Sequence, residues 1–197
     1  MTKTQPVIKG QRRTQAERRA ESRQAVLDSA LKLFGEKGYD ATSLEDIAAD
    51  CGLTIRPIYH YFGNKKALFA AVNDVMEQRI LDTMRFGEEG MGFEENWRAY
   101  LDLCDDPAFR RVVLIDGPSV LGRERWADSP VSTKARDSFA HDAGDSAGHF
   151  RQTLRDAVFM GAFTAAALTI AEAEDIEMAK VEAQQLMSAL FAQLRDL

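Results

Sequence analysis

Polar-tipped aromatic side chains and basic side chains are crowded into one short stretch of this sequence, RPIYHYFGNK. Arginine can pair with guanine through two parallel hydrogen bonds, and tyrosine hydroxyls and lysine ammonium groups bind phosphate oxygens. Core segments seldom combine so many polar aromatic rings with so much positive charge. The stretch therefore favours contact with a polyanion, and the residues concerned are Arg56, Tyr59, His60, Tyr61 and Lys65.

Each of these residues has a candidate role beside a plainer alternative. Arg56 is the best candidate for base recognition, and a solvated charge is its alternative. We expect one of the two tyrosines to be half-buried, and we favour Tyr59 as the phosphate contact. His60 is expected to face the groove of a bound nucleic acid. Whether it contacts a base there is left undecided. Ile58 and Phe62 are predicted to lie in the core.

The position of Lys65 works against helix stability. Asn64 is a good cap for the helix that follows, and a lysine in the first turn opposes the helix dipole. The arrangement becomes favourable if a phosphate binds there, held by backbone N–H groups and the ammonium together. Basic side chains upstream could add contacts to neighbouring phosphates or to the minor groove; they are Arg12, Arg13, Arg18 and Arg19.

Charge is distributed unevenly along the chain, whose net charge is −6. Residues 1–65 hold eleven basic and eight acidic side chains, whereas residues 66–197 hold fourteen and twenty-three. A basic head on an acidic body suggests a small polyanion-binding module attached to a body that the polyanion would repel.

The elements that must position these residues are helices, since hydrophobic residues recur at helical spacing without strand-like alternation. We therefore predict an all-α protein. Ser43 and Asp46 form a capping-box pattern at the start of the second helix. Helices are predicted over about 17–37, 43–51, 56–62 and 64–84, with Thr54 or Pro57 at the start of the third, then over 93–104, 107–115, 131–143, 151–173 and 175–194. Residues 86–92 are predicted to form a hinge, and DGPS, residues 116–119, a turn.

Ala48, Gly52 and Ile58 have the spacing of a helix-turn-helix. A small residue allows two helices to approach, a glycine takes the turn, and an apolar residue anchors the last helix. Such a unit presents its last helix as a rod that fits the major groove of duplex DNA.

The segment YHYFGNKKALF after CGLT closely resembles the N-terminal domain of the tetracycline-repressor (TetR) family of bacterial regulators, and the match runs from about Arg18 to Val72. CDDPAFRRVVLIDGPSVLGRERW also looks like a C-terminal domain type of these regulators. The resemblance implies a homodimer that binds a near-palindromic operator in double-stranded DNA, weakened by a small-molecule effector. We predict three parts: a disordered basic arm over residues 1–16, because the first ten or so residues carry few apolar groups, a helix-turn-helix domain over 17–66, and a ligand-binding and dimerisation domain over 67–197.

Carried onto this chain, the family's DNA-facing positions fall at Ser43, Arg56, Pro57, Tyr59, His60, Tyr61 and Lys65. Two residues depart from the family pattern. Ile55 occupies a position that is often polar or basic, and Arg56 one that is often small. The operator sequence therefore cannot be transferred from relatives.

Two stripes in the second half favour dimerisation through the last two helices. Small residues that allow close helix approach recur from Gly161 to Ala167, and apolar residues recur from Val181 to Leu194. A four-helix bundle from two subunits would bury both stripes, and an intramolecular core is the alternative.

Aromatic residues in the second half could line a cavity for a partly apolar effector, although aromatic residues at helical spacing are more often plain core. The candidates are Trp97, Tyr100, Phe109, Trp126, Phe159 and Phe163. No cofactor is predicted. His141, Asp145 and His149 would share one helix face and could bind a divalent metal, but Gly144 and Gly148 favour a polar loop, so we predict no metal site.

Several other classes of protein are disfavoured. No signal peptide is evident, the most apolar run, GAFTAAALTIA, is about half of the roughly 20 residues of a membrane span, and the two cysteines suggest neither a disulfide framework nor a zinc site. A cytoplasmic location follows as the expectation. Nucleophile elbows, metal motifs and phosphate loops are absent from the sequence, which disfavours an enzyme. A DNA-binding regulator or architectural protein without a ligand stays an alternative.

Overall fold

The computed structural model describes residues 14–85, 92–122, 125, 128–139 and 146–195, and every regular element in those ranges is helical. The all-α prediction is confirmed. The first half contains α1 (Gln15–Lys37), α2 (Leu44–Asp50), α3 (Ile55–Phe62) and α4 (Lys65–Thr83).

The start of α1 lies two residues before the predicted one. The Thr14 hydroxyl accepts the backbone N–H of Glu17 at 3.2 Å, and the Glu17 carboxylate accepts the backbone N–H of Thr14 at 2.7 Å. This reciprocal capping box satisfies two backbone donors that the helix leaves free, and so it fixes the start. Residues 1–13 of the predicted arm lie outside the described residues.

The caps of α2 and α4 follow the prediction, whereas α3 begins earlier than expected. Ser43 and Asn64 are the N-caps of α2 and α4. Helix α3 begins at Ile55 after Thr54, whose side chain makes no capping hydrogen bond. Pro57 is therefore the third helical residue, where a backbone N–H has no partner inside the helix and its absence costs little.

The second half opens with α5 (Phe93–Leu103), α6 (Pro107–Phe109), a π-helical segment (Arg110–Asp116) and α7 (Gly117–Leu121). The predicted DGPS turn is wrong, because the chain continues as helix through it. Pro118 stands in the first turn of α7, where proline is tolerated, and Gly117 has helical angles of φ −51° and ψ −57°.

Among the described residues the chain continues with α8 (Pro130–Phe139), α9 (Ser146–Glu172) and α10 (Ile176–Arg195). Helix α9 begins five residues before the predicted residue 151 and includes Gly148. The Asp175 carboxylate accepts the backbone N–H of Met178 at 2.9 Å, which caps α10. The predicted hinge falls almost entirely on residues 86–91, which lie outside the described residues, and so does the end of the predicted 131–143 helix.

The two halves share one hydrophobic core and pack directly on each other. Helix α1 approaches α6 so closely that a Cβ atom at Gly35 would lie 2.5 Å from the Ala108 Cβ. An ion pair between Arg79 on α4 and Asp106, 2.8 Å long, lies at the same junction. Burial would raise the pKa of Asp106, but the hydrogen bonds from Arg79 and from the Ala108 backbone hold it below its ordinary value.

By length and composition alone, the part of α9 from Phe150 to Glu172 could cross a membrane. A single such helix is weak evidence, because core helices of proteins outside membranes meet the same criterion.

Candidate nucleic-acid interface

The turn between α2 and α3 has the geometry that the Ala48, Gly52 and Ile58 spacing predicts. Ala48 is 5% exposed and Ile58 fully buried. Gly52 has φ +67°, a conformation that side-chain-bearing residues rarely adopt. The backbone N–H of Leu53 closes the turn by donating to the Ala48 carbonyl at 2.9 Å. The helix-turn-helix is therefore formed by these residues.

Helix α1 holds α2 in place through polar contacts. The Ser29 hydroxyl lies 3.2 Å from the Ile47 carbonyl and 2.8 Å from the Asp50 carboxylate. Lys32 pairs with Asp50 at 2.7 Å. The hydrogen bond from Lys32 lowers the pKa of Asp50, and the same bond raises the pKa of Lys32. These contacts fix the base on which α3 rests.

Helix α3 turns most of its predicted contact residues toward solvent. Ile58 points into the core, while Arg56 and His60 are exposed and Tyr59 retains 52% of its accessible surface. Pro57 is half-buried. The outward face thus carries a guanidinium, an imidazole and a phenol without a competing carboxylate on the helix itself.

The two tyrosines differ as expected. Tyr61 is the half-buried one, with its ring against Phe62 at a centroid distance of 6.4 Å and against His60 at 5.4 Å. Tyr59 is the freer of the two and better exposed to meet a phosphate. The contact itself stays a prediction.

Phe62 is less buried than its predicted place in the core. Its ring is half-buried and packs against the core, and the Arg23 guanidinium lies 5.0 Å from the ring centroid. A cation over an aromatic face is attracted by the ring quadrupole, and it shields the ring in place of apolar neighbours. The prediction was correct for Ile58 and wrong in degree for Phe62.

A side-chain contact between Arg19 and His60 joins α1 to α3. A guanidinium nitrogen of Arg19 lies against Nε2 of His60, and Arg19 is also exposed. The contact brings a residue from the upstream basic group onto the outward face of α3. Arg12 and Arg13 lie outside the described residues.

Lys65 lies over the ring of Tyr39, a residue that the sequence did not single out. Its ammonium is 4.3 Å from the ring centroid. Asn64 caps the helix by accepting the backbone N–H of Ala67 at 2.8 Å. The aromatic face partly offsets the unfavourable position of a lysine in the first turn. The Lys–Tyr pair could not be found from spacing, since 26 residues separate the partners.

Ser43 has its hydroxyl committed to the capping box of α2. The hydroxyl oxygen accepts the backbone N–H of Asp46 at 3.0 Å and donates to its carboxylate at 2.7 Å. The bond from the hydroxyl, followed by the bond that the Ser43 backbone N–H donates to the same carboxylate at 3.0 Å, lowers the pKa of Asp46. A phosphate contact at Ser43 stays a prediction, and it would share this hydroxyl.

The aromatic candidates of the second half meet in one cluster between α5, α6 and α9, which we call the aromatic chamber; its members are Phe93, Trp97, Tyr100, Phe109, Phe159 and Phe163. All are at most 8% exposed. Phe93 was not predicted, since its ring meets Trp97 and Phe159 only in the folded chain. Trp126 lies outside the described residues.

The aromatic chamber contains two unpaired donors. The indole N–H of Trp97 and the hydroxyl of Tyr100 are buried and have no hydrogen-bond partner in the described part of the chain. Burial, and then the neighbouring Cys104, raises the pKa of Tyr100 well above its ordinary value. Burial likewise raises the pKa of the Cys104 thiol to about 12. Both groups therefore stay neutral at physiological pH.

Helices α9 and α10 pack on each other but leave apolar side chains in solvent. Leu154 and Val158 of α9 are 50% and 52% exposed, and Val181 and Leu186 of α10 are 55% and 68% exposed. Gly161, beside Val158 on α9, has open space where a side chain would stand. The small-residue stripe is thus partly outward-facing, as dimerisation requires.

The candidate metal ligands His141 and Asp145 lie outside the described residues, and His149 belongs to α9. No cluster of three metal-ligating side chains occurs among the residues whose positions the structure gives. Cys51 is half-buried and Cys104 buried, and both are free thiols.

Two family models match the chain. The one described as bacterial regulatory proteins, tetR family, covers residues 26–72, and the one described as tetracyclin repressor-like, C-terminal domain, covers residues 91–194. The first range includes the helix-turn-helix, and the second extends from α5 into α10 and takes up more than half of the chain.

Individual relatives agree with these matches. The chain is 42% identical over 60 residues to the HTH-type transcriptional regulator AcrR of Shigella flexneri, and 40% identical over 83 residues to the HTH-type transcriptional repressor ComR of Escherichia coli. These alignments cover 30% and 42% of this chain but only 28% and 38% of those proteins. A TetR-family transcriptional regulator of known structure from Pectobacterium atrosepticum is 30% identical, with a TM-score of 0.65 over 92% of this chain and 97% of that one.

Proposed function

The chain belongs to the tetR family of bacterial regulatory proteins, which are DNA-binding transcriptional regulators, and from that premise we propose that it is an effector-released repressor. In this proposal a homodimer binds a near-palindromic operator, and a small molecule in the second half weakens that binding. The relative from E. coli is a repressor by name, which favours repression over activation.

The observation that carries the proposal is the outward face of α3. Arg56 and His60 are exposed there, Tyr59 is half-exposed, and the buried Ile58 fixes the helix from behind. A short rod with these side chains on one face suits the major groove, with Arg56 toward a guanine and Tyr59 toward a phosphate. The other residues proposed to contact DNA are Ser43, Pro57, His60, Tyr61 and Lys65.

Dimerisation is proposed through α9 and α10. Val158, Val181 and Leu186 are each more than half exposed in the single chain, and an apolar face of this kind needs a cover. A second copy supplies a matching pair of helices, and the resulting four-helix bundle buries both stripes. Dimerisation also gives the two recognition helices the spacing of about one DNA turn that a palindrome requires.

We also propose which part of the chain performs each function. We assign DNA binding to residues 17–66 and ligand binding and dimerisation to residues 67–197, with residues 1–16 as a basic arm. The aromatic chamber is the proposed effector site, and Trp126 is included among its candidates. A cytoplasmic location fits a protein that must reach chromosomal DNA.

A regulator without an effector is the second candidate, and the dense ring contacts of the chamber favour it. Phe163 alone lies 4.7 Å from Tyr100 and 5.0 Å from Trp97 between ring centroids, as in an ordinary core. An effector-released repressor should gain thermal stability with some compound and lose operator affinity with the same compound. A protein without an effector should show neither response.

The proposed function is tested with duplex DNA fragments. They are taken from the region that flanks the coding sequence, and each contains an inverted repeat. Fluorescence anisotropy should give an affinity that falls steeply with salt and exceeds the affinity for a scrambled duplex of equal composition. Sedimentation should give twice the mass of one chain. Absence of any salt-sensitive duplex binding, or sedimentation as single chains at working concentration, would refute the proposal.

A further inference from the structure

The two unpaired donors of the aromatic chamber set its chemistry. The Trp97 N–H and the Tyr100 hydroxyl are enclosed by side chains that are themselves almost fully buried, and neither donor has an acceptor in the described ranges. A buried donor without an acceptor has lost its hydrogen bonds to water and has gained none in the protein, which is unfavourable. A bound molecule that supplies an acceptor removes that cost, so the chamber favours such a molecule over a hydrocarbon.

The donors stand at the edges of a flat aromatic surface. Trp97 and Tyr100 are three residues apart on one face of α5, and their rings are stacked with centroids 5.7 Å apart and planes 12° from parallel. Phe163 of α9 lies across both rings. A flat ring system that takes the place of Phe163 would keep stacked or edge-on contacts with both partners.

Charged side chains beside the chamber already have hydrogen-bond or ion-pair partners, and the Arg110 guanidinium donates to the Cys104 carbonyl. Lys180 pairs with Asp105 at 2.5 Å. The Glu94 carboxylate accepts hydrogen bonds from Gln184 at 2.8 Å and from Ser188 at 2.7 Å. A charged molecule would lose its hydration among these rings, and no side chain of the chamber itself carries a charge that could offset the loss.

On the premise of the proposed effector-released function, we propose that the effector is an uncharged, flat aromatic molecule with a hydrogen-bond acceptor such as a ketone oxygen. The Trp97 N–H and the Tyr100 hydroxyl are the donors available to that acceptor, and the ring system stacks in the place of Phe163. Hydrocarbons of the same shape should bind more weakly, and anionic and cationic compounds should not bind.

Three bicyclic probes of nearly equal shape test this proposal: α-tetralone, which carries a ketone, tetralin, which lacks it, and tetralin bearing a carboxylate. Isothermal titration of the full chain should show α-tetralone binding about tenfold more tightly than tetralin, equivalent to about 1.4 kcal/mol. The carboxylate should not bind. Each probe is also titrated into the protein bound to operator DNA.

Two variants locate the preference. Tyr100→Phe removes one hydroxyl and keeps the ring, so the ketone preference should fall to about threefold or less. Trp97→Phe removes the other donor. It should lower the ketone preference in the same way, and it replaces Tyr100→Phe in the test if that variant fails to fold. Tyr39→Phe makes the same chemical change outside the chamber and should keep the full preference.

Equal affinity for α-tetralone and tetralin, an absence of binding by both, tighter binding of the carboxylate, or a ketone preference that survives in both chamber variants would overturn the inference. If one of these results is obtained while operator binding is intact, the inference about the effector fails and the proposed repressor function is unaffected. Loss of all duplex binding in a protein that still prefers the ketone would instead count against the repressor function alone.

Discussion

The backbone N–H of Tyr39 donates a hydrogen bond to the carboxylate of Asp116, 2.7 Å away and 77 residues further along the chain. The Tyr39 ring lies beneath Lys65 at the proposed DNA surface. Asp116 ends the π-helical segment that begins directly after Phe109 of the aromatic chamber. One hydrogen bond thus connects the elements that carry the two proposed sites, and π-helical segments are frequent at functional positions.

Replacing Asp116 by alanine should weaken both stability and DNA binding. Loss of a hydrogen bond from a backbone donor to a charged acceptor is expected to lower the free energy of unfolding by about 1–2 kcal/mol. Affinity for operator and scrambled duplexes should fall in equal proportion, because the support under Lys65 is loosened. Urea unfolding and anisotropy measure the two effects. Asp137→Ala, an exposed change on α8, should alter neither, and unchanged affinity in Asp116→Ala would contradict the prediction.

Replacing Arg56 by alanine should relax sequence preference. A bidentate arginine–guanine pair contributes about 1–3 kcal/mol of discrimination, so the affinity for the operator should fall while the affinity for a scrambled duplex changes little. Tyr59→Phe is the contrasting variant, because loss of a phosphate contact should weaken binding to all sequences. If the ratio of operator to scrambled affinity survives in Arg56→Ala, the assigned role of Arg56 is wrong.

Removing the Lys65 ammonium should change the salt dependence of binding. Each neutralised phosphate contributes about one unit to the slope of log affinity against log salt, so Lys65→Ala should reduce the slope by about one. Arg98→Ala removes an exposed positive charge from α5 and should leave the slope unchanged. A slope equal to that of the wild-type protein would show that Lys65 neutralises no phosphate.

A carboxylate placed in the exposed apolar stripe should separate the subunits. Val158→Asp and Leu186→Asp each put a charge where the four-helix bundle is expected to exclude water, which is costly without a partner. Sedimentation at micromolar concentration should shift from dimer to single chains, and operator affinity should fall with it. Thr133→Glu adds a charge on the exposed side of α8 and should remain dimeric. Persistence of the dimer in both stripe variants would exclude the α9–α10 interface.

Cys104 should resist alkylation in the native protein. Its thiol has a pKa of about 12, raised by burial, and only the thiolate reacts, so roughly one molecule in ten thousand is reactive at pH 8. Iodoacetamide followed by mass spectrometry should therefore detect modification at Cys51 and none at Cys104 until the chain is unfolded. Rapid native modification of Cys104 would contradict its burial beside Tyr100.

Features set by neighbours in the chain were predictable from the sequence, whereas features set by distant partners were not. Ser43 and Asn64 cap their helices because their side chains reach backbone groups three residues away, and Gly52 takes a turn that few other residues tolerate. The contact of Lys65 with Tyr39 depends on tertiary packing, as does the helix that replaces the predicted DGPS turn.

Some features of the aromatic chamber were likewise predictable from the sequence, and others were not. Helical spacing brought Trp97 and Tyr100 to one face of α5, so their common burial could be anticipated. Their lack of acceptors could not, since it depends on which side chains of α6 and α9 fold over them. Spacing fixes which residues share a surface, and only the folded chain fixes which polar atoms on it stay unpaired.

The touching of Gly35 and Ala108 has a consequence for anyone who builds hybrid regulators from this scaffold. Joining the first half of this chain to the second half of another regulator must keep glycine at position 35, because a Cβ atom there would lie 2.5 Å from the Cβ of Ala108. A hybrid therefore has to preserve the close approach of Gly35 to Ala108 together with the Arg79–Asp106 ion pair and the Tyr39–Asp116 hydrogen bond between the two halves.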